Sequence, residues 1–171
     1  SRERQETLTR LAPRFGLGLQ LTNVIRDIAD DHRLGRSFVP EEMWRSAGLT
    51  PVQFGRPGTE AQAWRMLTPL VAETEGCLED ALAYSTALPR QAIRVRVFCL
   101  TSLFFACRTL ALIQARPEAL VRGERIKMPR REIYAILAAT TILAPWNGGL
   151  RLLFRRLLTG GRAGGSGSAG A

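Results

Sequence analysis

An all-α chain is what this sequence predicts, and three observations carry that expectation. Apolar residues recur three and four positions apart over long windows, no segment alternates apolar and polar residues as a half-buried strand would, and Pro and Gly clusters separate the periodic windows. The first window runs from about Arg4 to Asp31 and ends in HRLGRSFVP, where Gly35 and Pro40 break the period. A short helix over Glu41 to Ala47 follows and closes at Gly48 as a C-terminal cap. Thr59 and Gln62 have capping-box spacing and open a long helix through AQAWRMLTPLVAETEGCLEDALAYSTA, with Pro69 as a kink and Pro89 turning the chain. Ile93 to Gln114 is apolar on nearly all sides, the pattern of a helix enclosed by other helices, so it is placed at the centre. Pro117 and Gly123 mark a loop, Pro129 suits the first turn of a helix reaching about Leu143, and a last amphipathic helix covers roughly Leu150 to Leu158. The expected organisation is one helical domain over 1–158 and a Gly/Ser-rich tail over 159–171, too poor in apolar surface to order itself.

Composition narrows the function classes. A chain of 171 residues that is 46% hydrophobic has material for a real core and is not a disordered polypeptide. Lys and Arg outnumber Asp and Glu by 24 to 15, and the resulting net charge of +9 points to an anionic partner: a phosphate ester, an acidic membrane surface or a nucleic acid. The arginines are spread along the chain without a nucleic-acid recognition motif, so no nucleic-acid partner is expected. Cys77, Cys99 and Cys107 are odd in number and form no CxxC pair, and His32 is the only histidine, which excludes a zinc ligand set and fits a reducing, cytoplasmic location. The longest uninterrupted apolar stretch, Ile133 to Trp146, is about 14 residues where a bilayer needs ~20, and Arg108 interrupts the run around Phe98 to Ile113. No membrane span is expected, and peripheral association with a membrane surface stays open. The opening SRERQETL has no initiator Met and no apolar signal core, as in an excerpt that begins inside a longer protein.

The chemistry concentrates in QLTNVIRDIADDHRLGRSFVP. On a helix, Gln20, Asn23, Asp27 and Asp31 follow one another by steps of three, four and four, so they form a single polar stripe. Leu17, Leu21, Val24, Ile25 and Ile28 cover much of the remaining circumference, so the stripe is expected to face the interior of a bundle. Carboxylates buried there need a neutralising cation. Asp27 and Asp31, one turn apart with Asp30 adjacent, offer the hard oxygen ligands that Mg²⁺ prefers when water and phosphate oxygens complete its shell. Arg33 and Arg36 follow in the loop, where they can clamp phosphate oxygens through charge-assisted hydrogen bonds. The competing, plainer reading is a solvated acidic helix end.

The full string Q-x-x-N-x-x-R-D-x-x-x-D-x-x-x-G-R-x-x-x-P resembles the second aspartate-rich motif of the squalene and phytoene synthase family, head-to-head prenyltransferases built as one all-α isoprenoid synthase bundle. The resemblance implies a metal set of Asp27, Asp31 and Asn23 holding Mg²⁺, with Mn²⁺ as a substitute, support from Gln20 and Arg26, and a diphosphate contact at Arg36. AIRVRVFCLTSLFFACRTLAL is similar to the family's Phe-Cys segment, with Phe98, Cys99, Ala106, Thr109 and Leu110 in place; Ser102-Leu103 stands where the squalene-type pattern has Pro-Gln. Phe98 and Phe105 would wall an apolar, water-excluding tunnel whose aromatic faces tolerate a carbocation. GERIKMPRREIY is similar to a third family segment, in which Lys127 and Arg130 would approach a phosphate or a nicotinamide cofactor.

The implied activity is condensation of two prenyl diphosphates, farnesyl before geranylgeranyl, with NADPH required if the product is squalene. The resemblance covers most of residues 10 to 143 but only the C-terminal portion of the family's chain, and no partner DxxxD occurs in the sequence, so this polypeptide is expected to hold half a site. A second synthase subunit is one way to complete it. The alternative is a truncated, noncatalytic helical module that binds an isoprenoid or a partner helix.

Overall fold

The computed structural model describes residues 2–160, and among these every regular element is helical. Seven α-helices follow in order: α1 (Arg2–Arg33), α2 (Glu41–Ser46), α3 (Glu60–Ala87), α4 (Ile93–Ala115), α5 (Pro117–Val121), α6 (Arg130–Leu143) and α7 (Asn147–Thr159), with a 3₁₀ turn at Pro51–Gln53. The all-α expectation is met. The expected tail lies, from residue 161 on, outside the described residues, and Thr159 belongs to α7.

Helix α4 is the hub, packing against α1, α3, α5, α6 and α7. It buries Leu100, Leu103, Phe104, Leu110 and Ile113 completely, each side chain stabilising the fold by about 1.5–3 kcal/mol. It is not enclosed on all sides as its composition predicts: Val95 and Phe98 are exposed, and Ser102, Phe105 and Thr109 on the same face are half-buried. By length and composition α4 is apolar enough to cross a membrane, against the expectation that Arg108 takes this run out of range. A core helix meets the same description, and packing against five neighbours is core-helix behaviour.

Arg96 explains how an apolar helix accommodates a charge. Its guanidinium, fully shielded from solvent, donates from Nε to the Ala144 carbonyl (2.9 Å), from Nη1 to the carbonyls of Ser85 (3.1 Å), Thr86 (3.3 Å) and Leu88 (2.7 Å), and from Nη2 to Asn147 Oδ1 (2.6 Å). The four backbone acceptors lie at the C-terminal ends of α3 and α6, where both helix dipoles place negative charge, and the fifth is a side chain at the start of α7. One side chain thereby ties α4 to three other helices.

Helix α1 lies along α3, and Gly18 lets the backbones approach: a Cβ there would sit 3.1 Å from Cys77 Cβ and 3.2 Å from Leu78 Cδ2. Farther along the same pair, Arg14 binds Glu73 and, at 2.8 Å, Asp80. These hydrogen bonds, to Asp80 first, hold the Arg14 pKa above its ordinary value. Glu73 and Asp80 of the acidic run ETEGCLED are thus occupied as an interhelical staple. All three cysteines are free and buried, and burial pushes each thiol pKa up, Cys107 most.

Three boundary expectations are corrected. Thr59 precedes α3, but the capping box does not form: Thr59 Oγ1 donates to the carbonyls of Arg56 (2.8 Å) and Gln53 (3.2 Å), and Gln62 reaches across to the Ala47 carbonyl. Pro117 does not lie in a plain loop but opens α5, its missing N–H costing nothing at a first helical position. Helix α7 begins at Asn147, earlier than Leu150.

Candidate functional site

The last three turns of α1 carry the site. The helix buries Leu11, Gly18, Thr22, Ile25 and Ile28, a stripe with the three- and four-residue spacing of a core face. Gln20, Asn23, Asp27 and Asp31 share the other side, as the spacing predicts, but they do not face the interior. Gln20 and Asn23 are exposed, and Asp27 and Asp31 are half-buried, the Asp27 side chain keeping 40% of its accessible surface. The physical reason is that α1 is packed on one side only. Leu17 is exposed and Leu21 and Val24 are half-buried, so the apolar residues flanking the stripe draw no neighbouring helix over it.

Both Asp27 oxygens are held by the adjacent Arg26, from Nε to Oδ1 at 2.8 Å and from Nη2 to Oδ2 at 2.7 Å. That hydrogen-bonded pairing raises the Arg26 pKa. Asp30 pairs with Arg33, whose Nε also donates to the Ala29 carbonyl at 3.3 Å. Asp31 differs: its carboxylate has no hydrogen bond or ion pair to another described residue. Its carbonyl accepts the backbone N–H groups of Leu34 (3.0 Å) and Arg36 (2.9 Å). Gly35, at φ +71°, supplies the left-handed residue that this reversal requires. The chain therefore turns back on the helix end, and Asp31 and Arg36 line one narrow cleft with His32, Ser37, Phe38 and Trp44. Trp44 anchors that loop from below: it is buried, stands edge-on to Phe54 at 5.7 Å between ring centroids, and donates from Nε1 to Ser37 Oγ at 3.3 Å.

A second depression, of about 200 Å³, is lined by Arg26, Asp27, Asp30, Glu124, Arg125 and Lys127. Lys127, a hundred residues from Asp27, thus meets it across one surface hollow. Gly123, at φ +73°, brings the segment in: a Cβ there would lie 3.3 Å from Ala29 Cβ and from Arg33 Nη2. Phe98 and Phe105 are outside this depression. Phe98 is 73% exposed on α4 and Phe105 is half-buried against the core, so among the described residues they form an open aromatic face and not a closed tunnel.

Asp27 and Asp31 suit a divalent cation that takes its other ligands from water and a diphosphate. Among the described residues no group of three or more His, Cys, Asp or Glu side chains could hold a metal on protein ligands alone. Asn23 is exposed one turn before Asp27.

The squalene/phytoene synthase family model matches residues 1–132, which includes α1, the Asp31–Arg36 turn, α4 and Lys127. The chain belongs to the squalene/phytoene synthase family. Among curated relatives it is 32% identical to a squalene synthase of Eremothecium gossypii over 113 residues, covering 66% of this chain and 25% of that protein. It is 35% identical to the squalene synthase of Bos taurus over 103 residues (60% and 24%) and 31% identical to that of Saccharomyces cerevisiae over 128 residues (75% and 28%). The chain therefore spans about a quarter of the length of these squalene synthases. Sequence reasoning missed Arg96, which braces α4 against the ends of α3 and α6, and Trp44, which anchors the Asp31–Arg36 loop. An arginine inside the apolar window Ile93 to Gln114 and the last residue of FVPEEMW were their signals.

Proposed function

We propose that this chain is the second-aspartate-motif portion of a head-to-head prenyltransferase that condenses two prenyl diphosphates, farnesyl in preference to geranylgeranyl, in isoprenoid biosynthesis. The observation that carries the reading is the convergence of Asp27, Arg26 and Lys127 on one depression, with Asp31 and Arg36 brought together by the turn at Gly35. Carboxylates flanked by cations on a half-exposed helix end suit a leaving group that is itself a polyanion.

In this reading Arg26 releases Asp27 when a diphosphate offers it new acceptors, freeing both carboxylate oxygens. Mg²⁺ held by Asp27, Asp31 and Asn23 would neutralise charge on the diphosphate. Arg36, Arg33 and Lys127 bind the remaining phosphate oxygens, with Gln20 bordering the same stripe. As the allylic C–O bond breaks, the diphosphate departs with the electron pair. The C1 cation is captured by the double bond of the second prenyl diphosphate, and loss of a proton closes a cyclopropylcarbinyl diphosphate. Phe98 and Phe105 offer aromatic faces to the positive charge. The second diphosphate then departs with its electron pair and the cyclopropylcarbinyl cation rearranges; NADPH would supply a hydride to that cation in a squalene-forming version, and loss of a proton from it instead ends the reaction at a phytoene-like product.

Because the chain spans a quarter of its relatives' length, the facing metal ligands are assigned to polypeptide outside the described residues, of the same protein or of a second synthase subunit. The proposed setting is the cytoplasm at a membrane surface, where prenyl products partition.

The test is to incubate the full-length protein with labelled farnesyl diphosphate and Mg²⁺, with and without NADPH, and to identify the lipid formed. Asp27→Ala and Asp31→Ala are each expected to lower kcat on the order of 10²-fold or more. Normal diphosphate release by either variant overturns the metal assignment, whereas no turnover by the full-length wild-type protein favours a noncatalytic module, in which the Arg26–Asp27 pair stays closed.

A further inference from the structure

From Tyr134 onward, the outward face of helix α6 carries no charged side chain. Tyr134 (69% exposed), Leu137, Ala138, Thr141 and Ile142 (75%) lie on it, and Pro145 and Trp146 (62%) continue it past the helix end. From Ile133 to Trp146 there is no ionisable group except the Tyr134 phenol. Leu137, Thr141 and Pro145 follow at four-residue steps, and at 100° per residue Arg130 and Arg131 fall on the same side, one turn before Tyr134. Both arginines are exposed at the N-terminal end of the helix, where the dipole is unfavourable to them.

The far end of the face is built around Trp146. A Cβ on Gly148 would lie 3.0 Å from Trp146 Nε1, and one on Gly149 would collide with the indole and with Leu143 Cδ2. The glycine pair that opens α7 therefore leaves room for the ring to lie along the helix start, with its outer face in solvent. Helix α7 then exposes Arg156 beside Leu152, while Arg151 and Arg155 line a depression with Glu79 of α3. Between Arg130 and Thr159 the charged residues are those five arginines and Glu132, and Glu132 is engaged by Arg108.

We propose that the outward face of α6, together with the start of α7, docks on an anionic lipid bilayer. The aliphatic side chains and the two aromatics at either end, Tyr134 and Trp146, suit the headgroup boundary, and the arginines around them meet lipid phosphates. Charge decides against a second copy of this chain as occupant: the face carries no acidic group to receive another copy's arginines. The inference is independent of prenyl transfer and would hold for a noncatalytic chain.

The experiment is cosedimentation of the full-length protein with vesicles of phosphatidylcholine alone and of phosphatidylcholine mixed with phosphatidylglycerol. Binding is expected to be at least tenfold tighter to the anionic vesicles and to weaken with salt. Leu137→Glu with Ile142→Glu should reduce it at least tenfold, while circular dichroism stays unchanged because both side chains already meet water. Arg131→Glu should cost about fivefold or more, the loss of one cation at an anionic surface. Equal binding to both vesicle types overturns the proposal, as does binding unaffected by the paired glutamates. So does conversion of an oligomer to monomer by those variants with lipid binding unchanged.

Discussion

Arg96 Nη2 and Asn147 Oδ1 meet at 2.6 Å, joining residues 51 apart in sequence at a point where α3, α4, α6 and α7 converge. Asn147 in turn donates from Nδ2 to the Thr86 carbonyl at 3.3 Å, so the junction is cross-braced. No carboxylate takes part. Burial lowers the Arg96 pKa, as does repulsion from Arg90, and the helix-end carbonyls supply the compensation.

Arg96→Met should therefore cost roughly 3 kcal/mol of stability, because several buried carbonyls lose their donor together. Arg96→Lys should recover only part of it, since an ammonium has three donors and no planar fork. Urea denaturation of both variants checks this; a loss under 1 kcal/mol for Arg96→Met would show that water replaces the guanidinium.

Arg108 binds Glu132 with two hydrogen bonds, Nε to Oε2 at 2.6 Å and Nη2 to Oε1 at 3.0 Å, tying α4 to the first turn of α6. The hydrogen bonds hold the Glu132 pKa below its ordinary value of 4.5. A depressed carboxylate contributes its full stabilisation above the unfolded value, and loses it as pH falls from there through the lower folded value. The wild-type chain should accordingly lose stability below about pH 4.5. Glu132→Gln should be less stable at pH 7 by roughly 1–2 kcal/mol and show a flatter decline in acid. Urea midpoints measured from pH 7 to pH 3 compare the two slopes.

Arg36 stands beside Asp31 because its backbone N–H closes the turn after α1. Its side chain is free to serve a ligand. In the full-length protein Arg36→Ala should raise KM for farnesyl diphosphate about tenfold or more, the loss of one charge-assisted contact, with a smaller effect on kcat. Arg36→Lys should restore part of the affinity. Steady-state kinetics at saturating Mg²⁺ separates the two constants, and an unchanged KM with unchanged kcat removes Arg36 from the site.

Periodicity exposed most of this architecture because local rules govern it. The ends of α1 and α2 at Gly35 and Gly48 were readable because both need a left-handed residue, and the alignment of Asp27 with Asp31 follows from helix geometry alone. Which way the stripe faces did not follow, since that depends on which neighbours α1 has. The same limit applies to Phe98: α4 is apolar all round, and only the placement of five packed helices shows which side is left open. Lys127 reaches Asp27 through a turn at Gly123 that no short-range pattern announces. The Thr59–Gln62 spacing misled for a related reason: Gln62 bonds to Ala47, fifteen residues away, in preference to its own helix end.

Cys77, Cys99 and Cys107 are shut away in the packed helices with their protons held firmly. Thiolate is the species that oxidants and alkylating agents attack. Oxidative damage to these sulfurs is therefore governed by how often the helices part, so the chain's redox durability is a property of its breathing motions and not of its cysteine chemistry.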